Sequence, residues 1–262
     1  MSEFSRILVF GTEIGIQQVL KSGESHKIVG IVAPGIRPFE VERVKDIAIS
    51  KKIPFYVQPK YSSKESYQEF VLAIKNTDYN SVFSNCYSMI IRPDVLEHCN
   101  YNALNVHWSL LPLNRGPNPI QWALIRDEKV TGVTAHFIED GLDTGDIVLS
   151  RQLEISDFDT WVSLSKRLTA LSQMVVKECL KQAISGNLIR RPQDESLATI
   201  NERLTPNFPK INFGTMSDRE VFNLIRAQVC PLKGAYIEGE RPIFFEKYLD
   251  MKKIASLRKK YE

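Results

Sequence analysis

RILVFGTEIGIQQVLKSGESHKIVGIV, residues Arg6 to Val32, sets the class of fold. Arg6 to Gly11 is an unbroken apolar run ending in glycine, and Lys27 to Val32 is a second such run. Between them Ile14, Ile16, Val19 and Leu20 fall at helical spacing. Continuous apolar runs suit strands buried on both faces, so the segment predicts a strand, helix, strand unit of parallel type. The pattern repeats downstream: Val41 to Ser50 is amphipathic, Ile53 to Val57 reads as a third strand, and Ser66 to Lys75 carries Phe70, Val71 and Ile74 at helical spacing. Ser81 to Cys86 reads as a fourth strand, followed by a helix around Pro93 to Leu96. This alternation predicts an α/β fold built on a Rossmann-like, doubly wound, mostly parallel sheet. The loop GTEIG (Gly11 to Gly15) lacks the GxGxxG spacing, which argues against a dinucleotide site. A helix N-terminus there still suits phosphate oxygens of a nucleotide. Arg37, in the loop beyond the second strand, reads as a solvated arginine or a phosphate partner.

The stretch Asn102 to Ile147, NALNVHWSLLPLNRGPNPIQWALIRDEKVTGVTAHFIEDGLDTGDI, carries the chemistry. Ala103 to Trp108 reads as a short buried strand, and its two-residue period puts Asn105 and His107 on one face. Leu111 to Pro119 holds three prolines and a glycine, so a rigid loop follows. Thr131 to Ile138 alternates again and runs into Glu139-Asp140-Gly141-Leu142-Asp143-Thr144-Gly145-Asp146, where the glycines permit a tight turn that aims a carboxylate. A carboxylate near a histidine orients the ring and favours imidazolium, which suits proton transfer near neutral pH. An asparagine amide is a neutral donor for oxygen charge in a tetrahedral intermediate. Asn105, His107 and Asp143 together point to acyl-group transfer without a covalent nucleophile. His136 shares a strand face with Thr134 and Ile138 and reads as a hydrogen-bonded core histidine, and His26 and His98 sit in polar connectors.

The 262 residues are 43% apolar, enough for one substantial core plus a small appendage, and the net charge of +3 calls for no nucleic-acid partner. There is no signal-like N-terminus and no apolar run near 18 residues, which leads to the expectation of a soluble, cytoplasmic protein outside the membrane. Cys86, Cys99, Cys179 and Cys230 lie far apart without paired metal-ligand spacing, so reduced, mostly buried thiols and no metal are expected.

Asn105-Val-His107, Ser109-Leu-Leu-Pro112 with Arg115-Gly116-Pro117-Asn118-Pro119-Ile120, Thr131-Gly132-Val133-Thr134 and Asp143-Thr-Gly-Asp146 together resemble the formyltransferase family that uses N10-formyltetrahydrofolate. The resemblance covers roughly residues 6 to 240. It implies the formyltransferase fold, catalysis by Asn105, His107 and Asp143, and a folate pocket formed in part by the stretch containing Tyr87, Met89 and Ile91, with Asp140 bordering the pterin. It further implies that Gly11 and Thr12 meet the amine-bearing substrate and that the loop with Arg115 and Asn118 lies beside the site. Within the family the chain is most like the sugar-nucleotide N-formyltransferases, which implies a dTDP-linked amino-sugar acceptor, a role in lipopolysaccharide O-antigen synthesis, and a homodimer. A methionyl-tRNA formyltransferase-like enzyme with a short C-terminus is the alternative, and a catalytically idle folate- or nucleotide-binding module is a third reading.

Asp159 to Ile184 reads as a strong amphipathic helix that covers the sheet, with Trp161, Leu164, Leu168, Leu171, Val175, Val176 and Leu180 in register. Arg190 to Pro209 reads as an irregular polar connector. Ser217 with Glu220 is a capping-box signature opening a helix to Arg226. Ala235 to Tyr248 predicts two strands around Glu238-Gly239-Glu240, and Lys252 to Lys260 a solvated tail or frayed helix. The expected division is therefore a catalytic domain, 1–205, and a small C-terminal α+β region, 206–262.

Overall fold

A computed structural model describes residues 4–205, 208–239 and 241–261. β1 (Ile7–Gly11) is buried along its whole length, as its unbroken apolar run requires. β2 (Ile28–Pro34) and β3 (Phe55–Gln58) pair in parallel on one side of it. β4 (Ser81–Asn85) and β5 (Ala103–His107) extend it in parallel on the other. β6 (Val130–Phe137) runs antiparallel to β5, and β7 (Ile147–Glu154) completes a seven-stranded sheet ordered β3-β2-β1-β4-β5-β6-β7.

The helices α1 (Glu13–Leu20), α2 (Pro38–Lys51), α3 (Lys64–Lys75) and α4 (Pro93–Leu96) connect the parallel strands. Proline occupies the first helical position of α2 and α4, where its missing N–H costs nothing. Sheet order reverses between β1 and β4, which puts the crevice of an open α/β sheet at the ends of those two strands. Gly15 makes that junction possible: a Cβ there would lie 2.0 Å from the Asn85 carbonyl oxygen. The core beneath one face gathers Leu8, Phe10, Val32, Tyr67, Phe70, Ile74, Val82, Val95 and Leu96.

Further along come α5 (Pro119–Ile125), α6 (Trp161–Ile184), the two-residue β8 (Lys210–Ile211), α7 (Asp218–Arg226), β9 (Ala235–Ile237), β10 (Ile243–Phe245) and α8 (Met251–Tyr261). The chain forms two compact units, each discontinuous in sequence. One comprises residues 1–107, 133–150 and 172–193, and the other 108–132, 151–171 and 194–262. In the second unit β10, β9 and β8 form a small sheet over a core of Ile211, Phe213, Val221, Phe222, Leu224, Ile225 and Ile254. Among the described residues no helix is long and apolar enough to cross a membrane.

The parallel half matches the pattern read from sequence to within a few residues at each end. Two elements of the other half carry no clean sequence signal. β7 alternates for only part of its length, and α5 begins abruptly at Asn118, whose φ of 59° turns the chain into Pro119. The expected hairpin is present, with Ile237, Tyr236 and Ala235 opposite Ile243, Phe244 and Phe245. Its turn residue Glu240 lies outside the described residues.

The C-terminal basic stretch is a correction: it is neither a solvated tail nor a frayed helix. Ile254 is fully buried, Tyr261 stacks on Phe213 at 6.4 Å, and the Arg258 guanidinium donates to Asp218 Oδ1 and to the Phe213 and Met216 carbonyls. One apolar side chain per turn and one bonded arginine anchor α8, while its lysines stay in water.

Ser217 forms both halves of the capping box that starts α7: its hydroxyl accepts from the Glu220 N–H, and its own N–H donates to Glu220 Oε2 at 2.7 Å. Ser217→Ala is expected to lower stability by about 1 kcal/mol, read as a lowered urea midpoint with an unchanged slope.

Candidate active site

Asn105 and His107 share the inner face of β5. The ladder sets Asn105 opposite Ser84 of β4 and His136 of β6, and His107 opposite Thr134. After β6 the chain turns back through residues 138–146. Gly145 is required there, because a Cβ would meet the Phe137 carbonyl oxygen at 2.1 Å. Asp143 itself adopts φ 54°, in the left-handed region that a non-glycine residue enters only when its surroundings hold it. The surroundings are visible. Gln193 Nε2 donates to the Asp143 and Gly145 carbonyls, both at 2.8 Å, and Arg190 bridges Glu139 and Asp146 at 2.6 and 2.7 Å.

The turn delivers the Asp143 carboxylate between two imidazoles. Oδ2 lies 3.5 Å from His107 Nδ1, and Oδ1 lies 3.5 Å from His136 Nε2. His107 and His136 are 7% and 2% exposed, so the charge acts where water screens it weakly. Nδ1 is the ring atom that His107 turns to Asp143. Asn105 Nδ2 lies 3.1 Å from His136 Nε2. The three residues expected to act together do come together, and His136 joins them. It is a buried, hydrogen-bonded histidine as read from sequence, and its partners are the Phe137 carbonyl and the site's own Asn105 and Asp143. Pairing β5 against β6 would have brought it to Asn105.

Tyr87 to Ile91 forms an irregular strap after β4. Gln58 fastens it, accepting from the Tyr87 hydroxyl at 2.9 Å and donating to the Ile90 carbonyl at 3.0 Å. Tyr87 packs edge-on against Phe10 at 5.3 Å, and burial pushes its phenol far up. Ile91 is buried, Met89 half-buried, and Ser88 Oγ is buried with no hydrogen-bond partner among the described residues. Asp140 accepts from the Tyr101 hydroxyl at 3.3 Å and lines a cavity of about 460 Å³ with Phe137, Thr144 and Arg190. Gln58 was invisible in the sequence because a glutamine at a strand end has no distinguishing pattern.

Gly11 and Thr12 end β1 at the switch point, both buried. The next amide, Glu13 N–H, donates to Glu40 Oε2 at 2.8 Å, so a carboxylate of the chain itself takes the first free donor of α1. Arg115 and Asn118 belong to the second unit. The Arg115 guanidinium, 3% exposed, binds Glu195 through two nitrogens at 2.8 and 2.7 Å, and Asn118 Oδ1 accepts from the Leu204 N–H. All four cysteines are unpaired. Burial pushes the Cys86 and Cys179 thiols up to about 12 and Cys99 to about 11, and Cys230 is exposed.

Asn105, His107, His136 and Asp143 thus converge at the carboxyl end of β5, where β6 and the 138–146 turn meet it. The chain belongs to the formyl transferase family, whose sequence profile matches residues 5–180. It is 37% identical over 199 residues to the methionyl-tRNA formyltransferase of Acetivibrio thermocellus, covering 76% of this chain but 62% of that relative, and so spans less than two thirds of its length. It is 31% identical over 246 residues to the methionyl-tRNA formyltransferase of Thermodesulfovibrio yellowstonii, covering 90% of this chain and 78% of the relative. Among solved structures it is similar in fold to an N-formyltransferase from Helicobacter canadensis in complex with folinic acid and dTDP-3-aminofucose. That likeness has a TM-score of 0.67 at 20% identity, over 90% of this chain and 84% of the other.

Proposed function

We propose that the chain transfers the formyl group of N10-formyltetrahydrofolate to the amine of a nucleotide-linked amino sugar. The preferred acceptor is a dTDP-linked 4-amino-4,6-dideoxyglucose or its 3-amino isomer, destined for a surface polysaccharide such as O-antigen. The observation behind this choice is the likeness in fold to the dTDP-3-aminofucose-bound enzyme over 90% of this chain, an extent that the Thermodesulfovibrio methionyl-tRNA enzyme shares. The strap suits the folate donor: its backbone is outside the sheet, and Ser88 Oγ is a buried polar atom with no hydrogen-bond partner among the described residues.

The amine attacks the formyl carbon directly. His107 takes the amine proton, Asp143 orients the ring and stabilises the imidazolium, and Asn105 with His107 holds the oxyanion. The C–N bond to folate then breaks as the proton passes to N10, releasing tetrahydrofolate. Tyr87, Met89, Ile91 and Asp140 border the donor, and Gly11, Thr12, Arg115 and Asn118 are assigned to the acceptor side. A homodimer in the cytoplasm belongs to the same reading.

Identity to the methionyl-tRNA enzymes favours a second reading, with charged initiator tRNA as acceptor. An absorbance assay of tetrahydrofolate release separates the two, run with dTDP-, UDP- and GDP-amino sugars, glycinamide ribonucleotide and methionyl initiator tRNA. Turnover with one amino sugar supports the first reading. Turnover only with tRNA, weakening steeply with salt as phosphate contacts release counterions, replaces it. Ligand binding without turnover on any acceptor leaves an idle binding module.

A further inference from the structure

We propose that His136 is a positioning residue for formyl transfer: as a neutral, Nδ1-protonated imidazole it fixes the Asn105 amide in the orientation that donates to the oxyanion. The inference rests on that oxyanion role of Asn105. His136 Nδ1 lies 2.7 Å from the Phe137 carbonyl oxygen, which only accepts, so Nδ1 carries the proton. In the neutral ring Nε2 then has only a lone pair, and it faces Asn105 Nδ2 at 3.1 Å. One amide N–H is thereby spent on the ring, the amide oxygen is turned away, and the second N–H is left for a reacting oxygen. Protonating Nε2 would reverse the arrangement. The ring would donate to Asp143 Oδ1, 3.5 Å away, and Asn105 would have to present its oxygen, removing the donor. The Asp143 carboxylate therefore serves His107 through Oδ2, while His136 serves Asn105. A second imidazole beside a carboxylate is costly to desolvate, and a purely apolar core would use an aliphatic side chain at a position 2% exposed.

His136→Met removes the acceptor while filling similar space, and His136→Gln restores an acceptor oxygen. For the methionine variant kcat is expected to fall about 10- to 100-fold, below the ceiling of about 10²–10³ for losing such a donor outright. KM for donor and acceptor should change less than about threefold, and the glutamine variant should recover at least tenfold of the loss. Nitrogen NMR of histidine-labelled wild-type protein should show a neutral ring protonated at Nδ1, a measurement independent of whether the methionine variant folds. A His136→Met variant within twofold of wild-type kcat, or an Nε2-protonated ring, overturns the inference while leaving the Asn105 role intact. Full turnover by Asn105→Ala overturns both.

Discussion

His107→Ala is expected to lower turnover by about 10²–10⁴, the range for a positioned general acid–base group. Asn105→Ala should lower it by about 10²–10³, equivalent to roughly 2.7–4 kcal/mol for one oxyanion donor. Both losses should fall on kcat and kcat/KM together, because the proton transfer and the oxyanion contact strengthen only as the tetrahedral species forms. Folding should survive, since neither side chain is part of the apolar cores and the β5 ladder uses only backbone groups. Asp143→Asn tests the third member: the amide has the carboxylate's size and still reaches both rings, but it supplies no charge to an imidazolium. Its kcat should fall at least tenfold with the thermal midpoint nearly unchanged. Near-full turnover by the alanine variant at 105 or 107 would remove that residue from the mechanism. Losses confined to KM would instead make the pair a binding contact.

Much of this site was legible because its elements are local in sequence. Asn105 and His107 are two residues apart on one strand, and Asp143 sits in a glycine-bounded turn, so periodicity and turn chemistry alone bring the types together. The parallel half of the fold was legible for the same reason: β1 and β2 are apolar runs long enough to stand apart from the helices around them, and they set the pattern for the rest. Partners distant in sequence were not legible. Gln58 reaches Ile90 across 32 residues, Glu40 reaches Glu13 across 27, and Gln193 reaches Asp143 across 50. Single polar side chains at loop ends have no period to betray them. The basic stretch of α8 misled because composition describes its exposed face, whereas Ile254 and Arg258, one turn apart, decide that it docks.

The same blindness hides the charge cluster that stabilises the second unit. Arg226 ends α7 at 1% exposure, donating to Asn223 Oδ1, the Ser156 carbonyl and Asp127 Oδ1, while Arg219 grips Asp127 and Asp157. Sequence suggests only a helix with a basic end. Burial pushes the Arg226 guanidinium down, and Asp127 is the nearest charge opposing that cost. Asp127→Ala leaves a buried cation with neutral acceptors alone. The expected loss is about 3 kcal/mol, the low end for a broken buried pair, because Asp127 keeps 31% of its side chain in water. Adding Arg226→Met should return most of it, since the uncompensated charge goes with the arginine and an apolar side chain fills its place. Acid should reproduce the single variant. Burial raises the Asp127 carboxyl, but hydrogen bonds from Arg219 and Lys129 more than offset that and hold it at about 2, below its ordinary 3.8. With the folded value depressed, the carboxylate's contribution is complete above about pH 4 and is lost as the pH falls through about 2. Asp157, held low by its hydrogen bond from Arg219, and Asp159, which burial raises but hydrogen bonds from the Ser156 amide, Ser163 and Arg167 hold low, add to the same slope. Urea midpoints measured from pH 5 to 2 should therefore fall steeply for wild type and less steeply for Asp127→Ala. Parallel slopes would mean that the cluster is solvated and contributes little.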